Sequence, residues 1–552
     1  MPRRWKQRGV DVSRCRIDDD AARRNAELIR RRPEQVLALI TSGQSVFTRH
    51  DIARTLGRYI TGTDAFHAAL AAVMASPQLV LLQQEQKHEP ARYSTREMIE
   101  LERLMAKSAI RMAERSAHAV RTATVTKAIA KQNEDLTGRG LGDEQVRAVL
   151  HVTGPEQIAA VTGFAGAGKS TMLAAARRAW EADGYRVHGA ALAGKAAEGL
   201  TSSSGIASRT LASWELGWEN GRSILGHRDI LVIDEAGMIG SRQLCRFVQQ
   251  VEARGAKLVL VGDHEQLQIG AGSPFRAITE RTGAIELTEI RRQEDDWQRQ
   301  ASIAFATRRT PEALAHYDQQ NAIRFANDRT QACADLVRDY LHDLRDNPRH
   351  SRIALAHRRV DVRAINDAIR QGLQAEGVLA KGSSRPSHGR QHLSAEMMRD
   401  RWVEKSFTAP STASGPLPPV TVSSCCRTIA ASGSRTACSG RWTPSSRTHY
   451  SCGSTRYRPT EKRPRITIRP KDYQSFDHGY ATTIHKAQGA TVDRSFVMAS
   501  ATMDRHLTYV AVTRHRLQAM LYAGRDAFRD MKALTAGMSR CGAQANHARL
   551  YR

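Results

Sequence analysis

The stretch GFAGAGKS, Gly163 to Ser170, decides the fold of this chain. It fits the pattern G-x-x-x-x-G-K-[ST], follows an apolar run typical of a strand, and opens an alanine-rich helix. Glycines let the backbone N–H groups of such a turn close around phosphates at the start of a helix. The stretch therefore predicts a phosphate-binding loop between a buried strand and a helix.

The residue types in this loop suggest what it holds. Lys169 is placed to reach the β- and γ-phosphates of ATP, and the hydroxyl of Ser170 is placed to ligate Mg²⁺. We therefore predict ATP and Mg²⁺ as cofactors. The predicted nucleotide-binding residues are Gly163, Ala165, Gly166, Ala167, Gly168, Lys169, Ser170 and Thr171.

Short apolar runs alternate with helical patterns on both sides of the loop. This alternation is typical of βαβ units and a parallel sheet, so the predicted fold class is α/β. Two sets of such units are expected, in residues 131–300 and in residues 301–380 with 462–535. Residues 1–130 show helical spacing and are predicted to form a mainly helical domain, either a small helix-turn-helix-like unit or a plain packing domain; residues 536–552 are predicted to be a tail.

Two further strand ends carry polar residues suited to phosphate chemistry. ILVIDEAGM places Asp234 and Glu235 after an apolar strand; the first carboxylate would hold the metal and the second would orient or deprotonate water. KLVLVGDHEQ places Gln266 just after the next strand, where an amide can report the state of the γ-phosphate. The sequence therefore predicts Lys169, Asp234, Glu235 and Gln266 as catalytic residues.

Eight motifs in one order resemble a known family. GFAGAGKS, GAALAGKAAEGL, DEAGM, GDHEQLQ, IRRQ, TTIHKAQGATVD and YVAVTRHR, with Gln145 upstream, resemble superfamily 1 DNA helicases of the RecD type. The phrases around the last two motifs are most similar to the helicase portion of TraA/MobA-type conjugative relaxases. The resemblance covers roughly residues 20–400 and 462–530, and it implies two RecA-like lobes with ATP between them and single-stranded DNA across both.

The resemblance also implies roles for further residues. Gln145 is expected to recognise adenine, and Arg292 (preferred over Arg291) and Arg514 are expected to stabilise the transition state. The predicted DNA-binding residues are Lys195, Thr483, His485, Lys486 and Gln488. By family analogy the motor moves 5′ to 3′. No H-x-H cluster or other counterpart of the family's nicking domain is found in residues 1–130, so a separate relaxase or other conjugation proteins are the expected partners.

Composition agrees with a nucleic-acid partner. The formal net charge is +27 and the pI about 10.3, which favours a polyanion such as single-stranded DNA. No apolar run approaches the roughly 20 residues of a spanning helix, so no membrane partner is expected. Scattered cysteines and the lack of a secretion signal indicate a cytoplasmic setting.

An acid-free segment, residues 405–460, interrupts the second set of units. It is rich in Ser, Thr, Arg and Cys and stands where the family has a small β-rich insert. It could be a cysteine metal site, a basic linker, or a frameshifted stretch. Cys425 and Cys426, with Cys438 and Cys452, fit no usual zinc spacing. A one-base shift allows codons for residues 410–455 that encode alternating strands, so we favour the frameshift and expect residues 381–461 to be disordered.

The functional prediction is an ATP-dependent DNA helicase of conjugative transfer. Two alternatives stay open: a RecD-like repair helicase that works with nuclease subunits, and a decayed DNA-binding remnant that does not unwind. The presence of the core ATPase residues argues against a motor without activity. The acid-free segment, which stands in place of the family's β-rich insert, leaves the non-unwinding remnant open.

Overall fold

The computed structural model describes residues 27–86, 90–136, 140–222, 224–266, 272–378 and 479–540, with the backbone of four strands between residues 422 and 468. The chain divides into two compact units. The first comprises residues 1–192, 196–291 and 541–552, and the second comprises residues 193–195 and 292–540. No helix among the described residues is long and apolar enough to cross a membrane.

The first unit begins with a small α/β module. After helical residues 27–31 and the 3-10 helix Pro33–Gln35, its elements follow the order helix, strand, helix, helix, strand, strand, and its antiparallel sheet has the strand order β1-β3-β2, which is the topology of a winged helix. The bounds are α1 Val36–Thr41, β1 Phe47–Thr48, α2 Arg49–Leu56, α3 Thr63–Met74, β2 Leu79–Gln83 and β3 Arg92–Thr95. The helical pattern did not predict this sheet, and both expectations for the region, a helix-turn-helix-like unit and a plain packing domain, stay predictions.

Helix α2 begins at a reciprocal cap formed by Thr48 and Asp51. The hydroxyl of Thr48 accepts a hydrogen bond from the N–H of Asp51, and the Asp51 carboxylate accepts one from the N–H of Thr48. This reciprocal cap satisfies N–H groups that a helix start leaves unpaired. Three helices then connect the module to the main sheet: α4 Arg96–Glu114, α5 Thr122–Asp135 and α6 Asp143–Val152.

The main sheet of the first unit is fully parallel. Its six strands lie in the order β6-β5-β7-β8-β4-β9. The strands are β4 Ile158–Gly163, β5 Arg186–Ala191, β6 Ser208–Thr210, β7 Asp229–Ile233, β8 Lys257–Gly262 and β9 Ile285–Leu287. The connecting helices are α7 Lys169–Ala182, α8 Gly194–Ser204, α9 Leu211–Glu219, α10 Ser241–Arg254 and α11 Pro274–Thr282.

Both faces of this sheet are buried along its central strands β4, β7 and β8, which are buried at every position and mostly apolar. In β8, Leu258 and Leu260 belong to one core cluster, whereas Val259 and Val261 belong to the cluster on the opposite face. Continuous apolar runs of this kind are typical of parallel strands covered by helices on both sides. The loops at the carboxyl ends of β4, β7 and β8 contain the predicted phosphate-binding loop, Asp234 and Gln266.

The second unit is built on a second parallel sheet, with the strand order β10-β18-β17-β11-β16. The strands are β10 Ile323–Ala326, β11 Arg352–Ala356, β16 Ala481–Thr483, β17 Val492–Met498 and β18 His515–Gly524. The helices are α12 Asp296–Ala306, α13 Thr310–Gln319, α14 Arg329–Asp346, α15 Arg359–Ala375, α16 Arg505–Val512 and α17 Met531–Met538. The predicted α/β class with two parallel sheets is confirmed.

Four strands fall in or beside the acid-free segment. They form an antiparallel sheet in sequence order: β12 Val422–Ser423, β13 Ser439–Ser446, β14 His449–Ser454 and β15 Arg465–Ile468. Strands β12, β13 and β14 fall within residues 381–461, where the sequence predicts disorder, and disorder of that segment as a whole stays a prediction. Antiparallel pairing needs only backbone N–H and C=O groups in register, so it does not require the apolar pattern on which that expectation rested. The rest of the segment lies outside the described residues.

Candidate functional site

The predicted phosphate-binding loop joins β4 to α7. Gly166 and Gly168 have φ angles of 93° and 75°, a region that favours glycine. A Cβ on Gly163 would lie 2.8 Å from the Cβ of Leu287 in the neighbouring strand β9. Glycine at these positions therefore allows both the turn and the close approach of the loop to the sheet.

Lys169 begins α7 and folds back over the loop. Its Nζ donates hydrogen bonds to the carbonyl oxygens of Gly163, at 2.7 Å, and Phe164, at 2.9 Å. Hydrogen bonds between an ammonium and a phosphate are stronger than those to neutral carbonyls. A bound phosphate would therefore compete for this lysine, which is already held at the loop.

The predicted acidic pair follows β7. The backbone N–H of Glu235 donates to the Asp234 carboxylate at 2.8 Å, and Glu235 adopts a left-handed φ of 56° that is uncommon for a side chain of this size. Burial raises the pKa of Asp234, and the positive charge of Lys169 opposes that rise. The structure thus brings Lys169 and Asp234 into one site.

A divalent cation fits this donor set. No group of three or more His, Cys, Asp or Glu residues able to hold a metal occurs among the described residues. Mg²⁺ binds proteins through one or two carboxylates together with hydroxyl, water and phosphate oxygens. The desolvated Asp234 carboxylate and the Ser170 hydroxyl at the start of α7 provide oxygen donors of that kind.

The loop after β7 and the end of β8 lie so close together that glycine is needed at two positions. A Cβ on Gly237 would collide with the carbonyl oxygen of Asp263, and one on Gly262 would lie 2.8 Å from the Phe275 ring. Asp263 is buried, and Gln266 donates to its carboxylate at 3.3 Å. Gln266 therefore lies in the loop after β8 with Asp263 as its hydrogen-bond partner, and its response to a γ-phosphate stays a prediction. Residues 267–271 of this motif lie outside the described residues.

Gln145 occupies a different environment from the one expected for an adenine-recognising residue. It is 3% exposed, and its amide nitrogen donates to the carbonyls of Gly168, at 3.1 Å, and Ala167, at 3.3 Å. Its amide oxygen accepts from the Gly142 N–H at 3.0 Å and from Arg291 at 2.7 Å. The side chain thus holds the phosphate-binding loop from behind; its contact with adenine stays a prediction.

The sequence favours Arg292 over Arg291 as the arginine that stabilises the transition state, but Arg291 is the one that contacts the phosphate-binding loop. Its N–H donates to the carbonyl of Gly166 at 2.9 Å, and its guanidinium contacts Gln145 and the Gly140 carbonyl. The signal in the sequence was only the doublet IRRQ, which does not reveal which arginine faces the loop. In the first unit, Arg291 and Gln145 form one support under the glycines of the loop.

In the second unit, the two predicted arginines converge on one residue. Arg292 donates to the carbonyl of Thr513 at 2.9 Å, and Arg514 donates to the Thr513 hydroxyl at 3.4 Å. Arg514 is 2% exposed. The adjacent His515 is fully buried, and its burial, aided by the charge of Arg292, lowers its pKa to about 3. This cluster therefore concentrates fixed positive charge beside a neutral imidazole.

The predicted DNA-binding residues of the second unit follow β16. Thr483 ends this strand, and a short 3-10 helix, Ile484–Ala487, carries His485 and Lys486. Gln488 is buried, whereas Lys486 is exposed. Burial, with the nearby His357, lowers the pKa of His485. Lys195 lies in the first turn of α8. Their contact with DNA stays a prediction.

Comparison with known proteins begins with a sequence family. Residues 140–328 match the family described as the AAA domain, a range that includes the predicted phosphate-binding loop and the ends of β7 and β8. The match covers the parallel sheet of the first unit and continues into residues 292–328 of the second.

The particular proteins that this chain resembles are conjugal transfer proteins. It is 41% identical over 526 residues to the probable conjugal transfer protein TraA of Sinorhizobium fredii (strain NBRC 101917 / NGR234), an alignment covering 94% of this chain and 45% of that relative. The chain spans about half the length of the curated relatives it matches. The resemblance that the motifs predicted is confirmed.

Two more distant similarities were found. The ATP-dependent RecD2 DNA helicase of Deinococcus radiodurans is 31% identical over 160 residues, which is 28% of this chain and 22% of that protein. A crystal structure of the Pif1 helicase from Bacteroides in complex with ADP-AlF3 and ssDNA aligns with 72% of this chain and 94% of its own, at 17% identity and a TM-score of 0.42.

Proposed function

We propose that this chain is an ATP-dependent DNA helicase of conjugative plasmid transfer, which hydrolyses ATP to move along single-stranded DNA from 5′ to 3′. The observation that carries the proposal is the electrostatic interaction of Lys169, in the phosphate-binding loop, with the buried Asp234 carboxylate, in a chain 41% identical to a conjugal transfer protein. The RecD2 similarity covers only 28% of the chain, so the repair-helicase alternative has less support.

In this proposal the first unit binds and activates the nucleotide. Lys169 and the N–H groups of the loop bind the phosphates, and Mg²⁺, held by Ser170 and Asp234, would neutralise phosphate charge. Glu235 orients the attacking water and accepts its proton. Gln266 responds to the γ-phosphate through its hydrogen bond to Asp263.

Arg292 and Arg514 supply positive charge to the transition state, as arginine fingers do in related chemistry. Both are preorganised on Thr513, so little reorganisation is needed when charge develops. Lys195, Thr483, His485, Lys486 and Gln488 contact the strand. Phosphate contacts of this kind are sensitive to salt and largely independent of base sequence.

We also propose that a relaxase or other conjugation proteins act with this chain on the DNA, in the cytoplasm; the 41% identity to a conjugal transfer protein supports this.

Strand displacement tests this function. A labelled oligonucleotide annealed to a longer strand should be released when the strand has a 5′ single-stranded tail and ATP with Mg²⁺ is present. A substrate with only a 3′ tail should remain annealed. Release from the 3′-tailed substrate alone would contradict the polarity, and ATP hydrolysis without any release would favour the non-unwinding remnant.

A further inference from the structure

A cavity of about 400 Å³ lies in the first unit, away from the phosphate-binding loop. Its walls include Arg186, Ser208 and Asp229, which are the first residues of β5, β6 and β7. The phosphate-binding loop follows the carboxyl end of β4 in the same parallel sheet. The cavity therefore opens at the opposite end of the strands from the proposed ATP site.

An arginine without a polar partner lines this cavity. The guanidinium carbon of Arg209 lies 3.6 Å from the centre of the Trp214 ring. That ring is 3% exposed and is fixed by a hydrogen bond from its N–H to the Gly189 carbonyl at 3.1 Å. No hydrogen bond or ion pair of Arg209 occurs within the part of the chain that the structure describes. Its N–H donors are thus positioned by stacking and left available to an anion.

The carboxylate in the cavity wall is already neutralised. Asp229, which is 1% exposed, accepts hydrogen bonds from Arg186 at 2.7 Å, from His188 at 2.9 Å and from the Gly226 N–H at 2.7 Å. Its pKa is lowered, because these hydrogen bonds outweigh its burial, which acts to raise it. Asp229 therefore leaves Arg209 as an uncompensated positive charge in the cavity.

The rest of the wall is apolar. Leu225 is buried, and Ile224 at the rim is 61% exposed, an unusual position for a side chain of this size. A ligand that suits the cavity therefore combines an anionic group with a flat apolar group. A phosphate satisfies the first requirement because guanidinium binds it with paired N–H donors. A nucleobase satisfies the second because bases stack on arginine planes and pack on aliphatic side chains.

We propose that this cavity binds a nucleotide unit, with its phosphate on Arg209 and its base against Ile224 and Leu225. The volume lies within the range of ligand pockets, roughly 300–1,000 Å³. The unit can come from a single DNA strand or from a free nucleotide, since both present the same phosphate and base. The site is independent of the proposed ATP site, whose residues lie at the other end of the sheet.

Photocrosslinking tests the proposal with the full chain. A short oligo(dT) containing one 5-iododeoxyuridine is irradiated with the protein, and the modified peptide is identified by mass spectrometry. We expect modification of the peptide that contains His188 or Trp214. Arg209→Gln should reduce this product about tenfold, in line with loss of a charge-assisted phosphate contact. Arg103→Gln, which removes an exposed arginine from α4, should leave it unchanged.

The source of the nucleotide is decided in the same experiment. If an excess of dTMP prevents the modification, a free nucleotide suffices; if only unlabelled oligo(dT) prevents it, the site takes a unit of a strand. A second variant, Arg186→Gln, changes a side chain that is 70% exposed and should weaken the product without unfolding the chain. Absence of modification in the cavity peptides of a folded chain, or a yield unchanged by both variants, would overturn the proposal.

Discussion

At the scale of single residues, Gln145 is the most informative part of the site. Its amide nitrogen donates to two carbonyls of the phosphate-binding loop, and its amide oxygen accepts from Arg291. Gln145→Ala should therefore weaken ATP binding by roughly tenfold and lower the free energy of unfolding by about 1–3 kcal/mol, since buried partners lose their hydrogen bonds. Isothermal titration with a non-hydrolysable ATP analogue measures the first effect, and urea unfolding measures the second.

The exposed Gln249 in α10 provides the control for this prediction. Gln249→Ala removes the same amide from a solvated position and should change neither quantity. If Gln145→Ala bound the analogue as tightly as the parent, the support that Gln145 gives to the loop would be irrelevant to nucleotide binding.

Gly237 gives a second test at this scale. Gly237→Ala places a methyl group against the Asp263 carbonyl, so the loops after β7 and β8 must move apart. We expect a loss of stability of about 1–3 kcal/mol and reduced ATP hydrolysis, because Asp234 and Gln266 lie on those two loops. Gly199→Ala is the matched control, since nothing lies near its added Cβ and alanine favours the helix by roughly 0.5–1 kcal/mol. Equal behaviour of the two variants in thermal unfolding and ATPase assays would refute this reading of the loops.

At the scale of elements, β8 begins with a buried charge. Lys257 is fully buried, its Nζ donates to the Gly154 carbonyl at 2.6 Å, and burial lowers its pKa to about 7, with Glu156 opposing. Below pH 7 the folded chain must keep this ammonium out of water. Because the unfolded lysine titrates near 10.5, the unfolded state binds more protons between pH 7 and 10.5, and stability rises with pH there.

Lys257→Met removes the free-energy cost of burying this ammonium. The variant should therefore be more stable than the parent at pH 6, and the difference should shrink as the pH rises towards 10. Unfolding midpoints in urea at pH 6 and pH 9 measure this. Lys127→Met, at an exposed position in α5, changes the net charge equally and should show no such dependence. A gain for Lys257→Met that is equal at both pH values would contradict the buried charge.

The main sheets were predictable and the smaller sheets were not. The interior of the run KLVLVGD, from Leu258 to Val261, is apolar at each position, which is typical of covered parallel strands. Strand β1 has only two residues and β3 only four, so neither presents a period that a sequence pattern can reveal. Strands β13 and β14 contain Ser, Thr, Cys and Gly, and their pairing depends on backbone register rather than on an apolar face.

At the scale of the whole molecule, the order of motifs predicted the class, but not every partner. Spacing along the chain placed Lys169 after β4 and Asp234 after β7, and a parallel sheet brings the carboxyl ends of its strands to one edge. The order of motifs did not predict that Arg291 supports the phosphate-binding loop. Two adjacent arginines differ only in the direction of their side chains, and the sequence does not reveal that direction. The same limit applies to Gln145. Its amide is suited to hydrogen bonding with adenine, but the buried side chain hydrogen-bonds to the phosphate-binding loop instead.

The acid-free segment yields a prediction about the whole chain. The predicted nucleotide-binding residues all lie outside residues 405–460. Replacement of this segment by a short Gly/Ser linker should therefore preserve ATP hydrolysis, and we expect any effect to fall on strand displacement. Parallel ATPase and displacement assays compare the two activities. Loss of hydrolysis in a variant that keeps its thermal transition would show that the segment belongs to the motor.

The central claim is that this chain couples ATP hydrolysis at Lys169 to single-stranded DNA. Steady-state ATPase rates with and without oligo(dT), for the parent and for Lys169→Ala, test it most directly. We predict that DNA stimulates the parent and that Lys169→Ala lowers the stimulated rate by on the order of 10²–10³-fold. A folded parent chain that hydrolyses no ATP in the presence of DNA, or a Lys169→Ala variant that hydrolyses it equally well, would contradict the account.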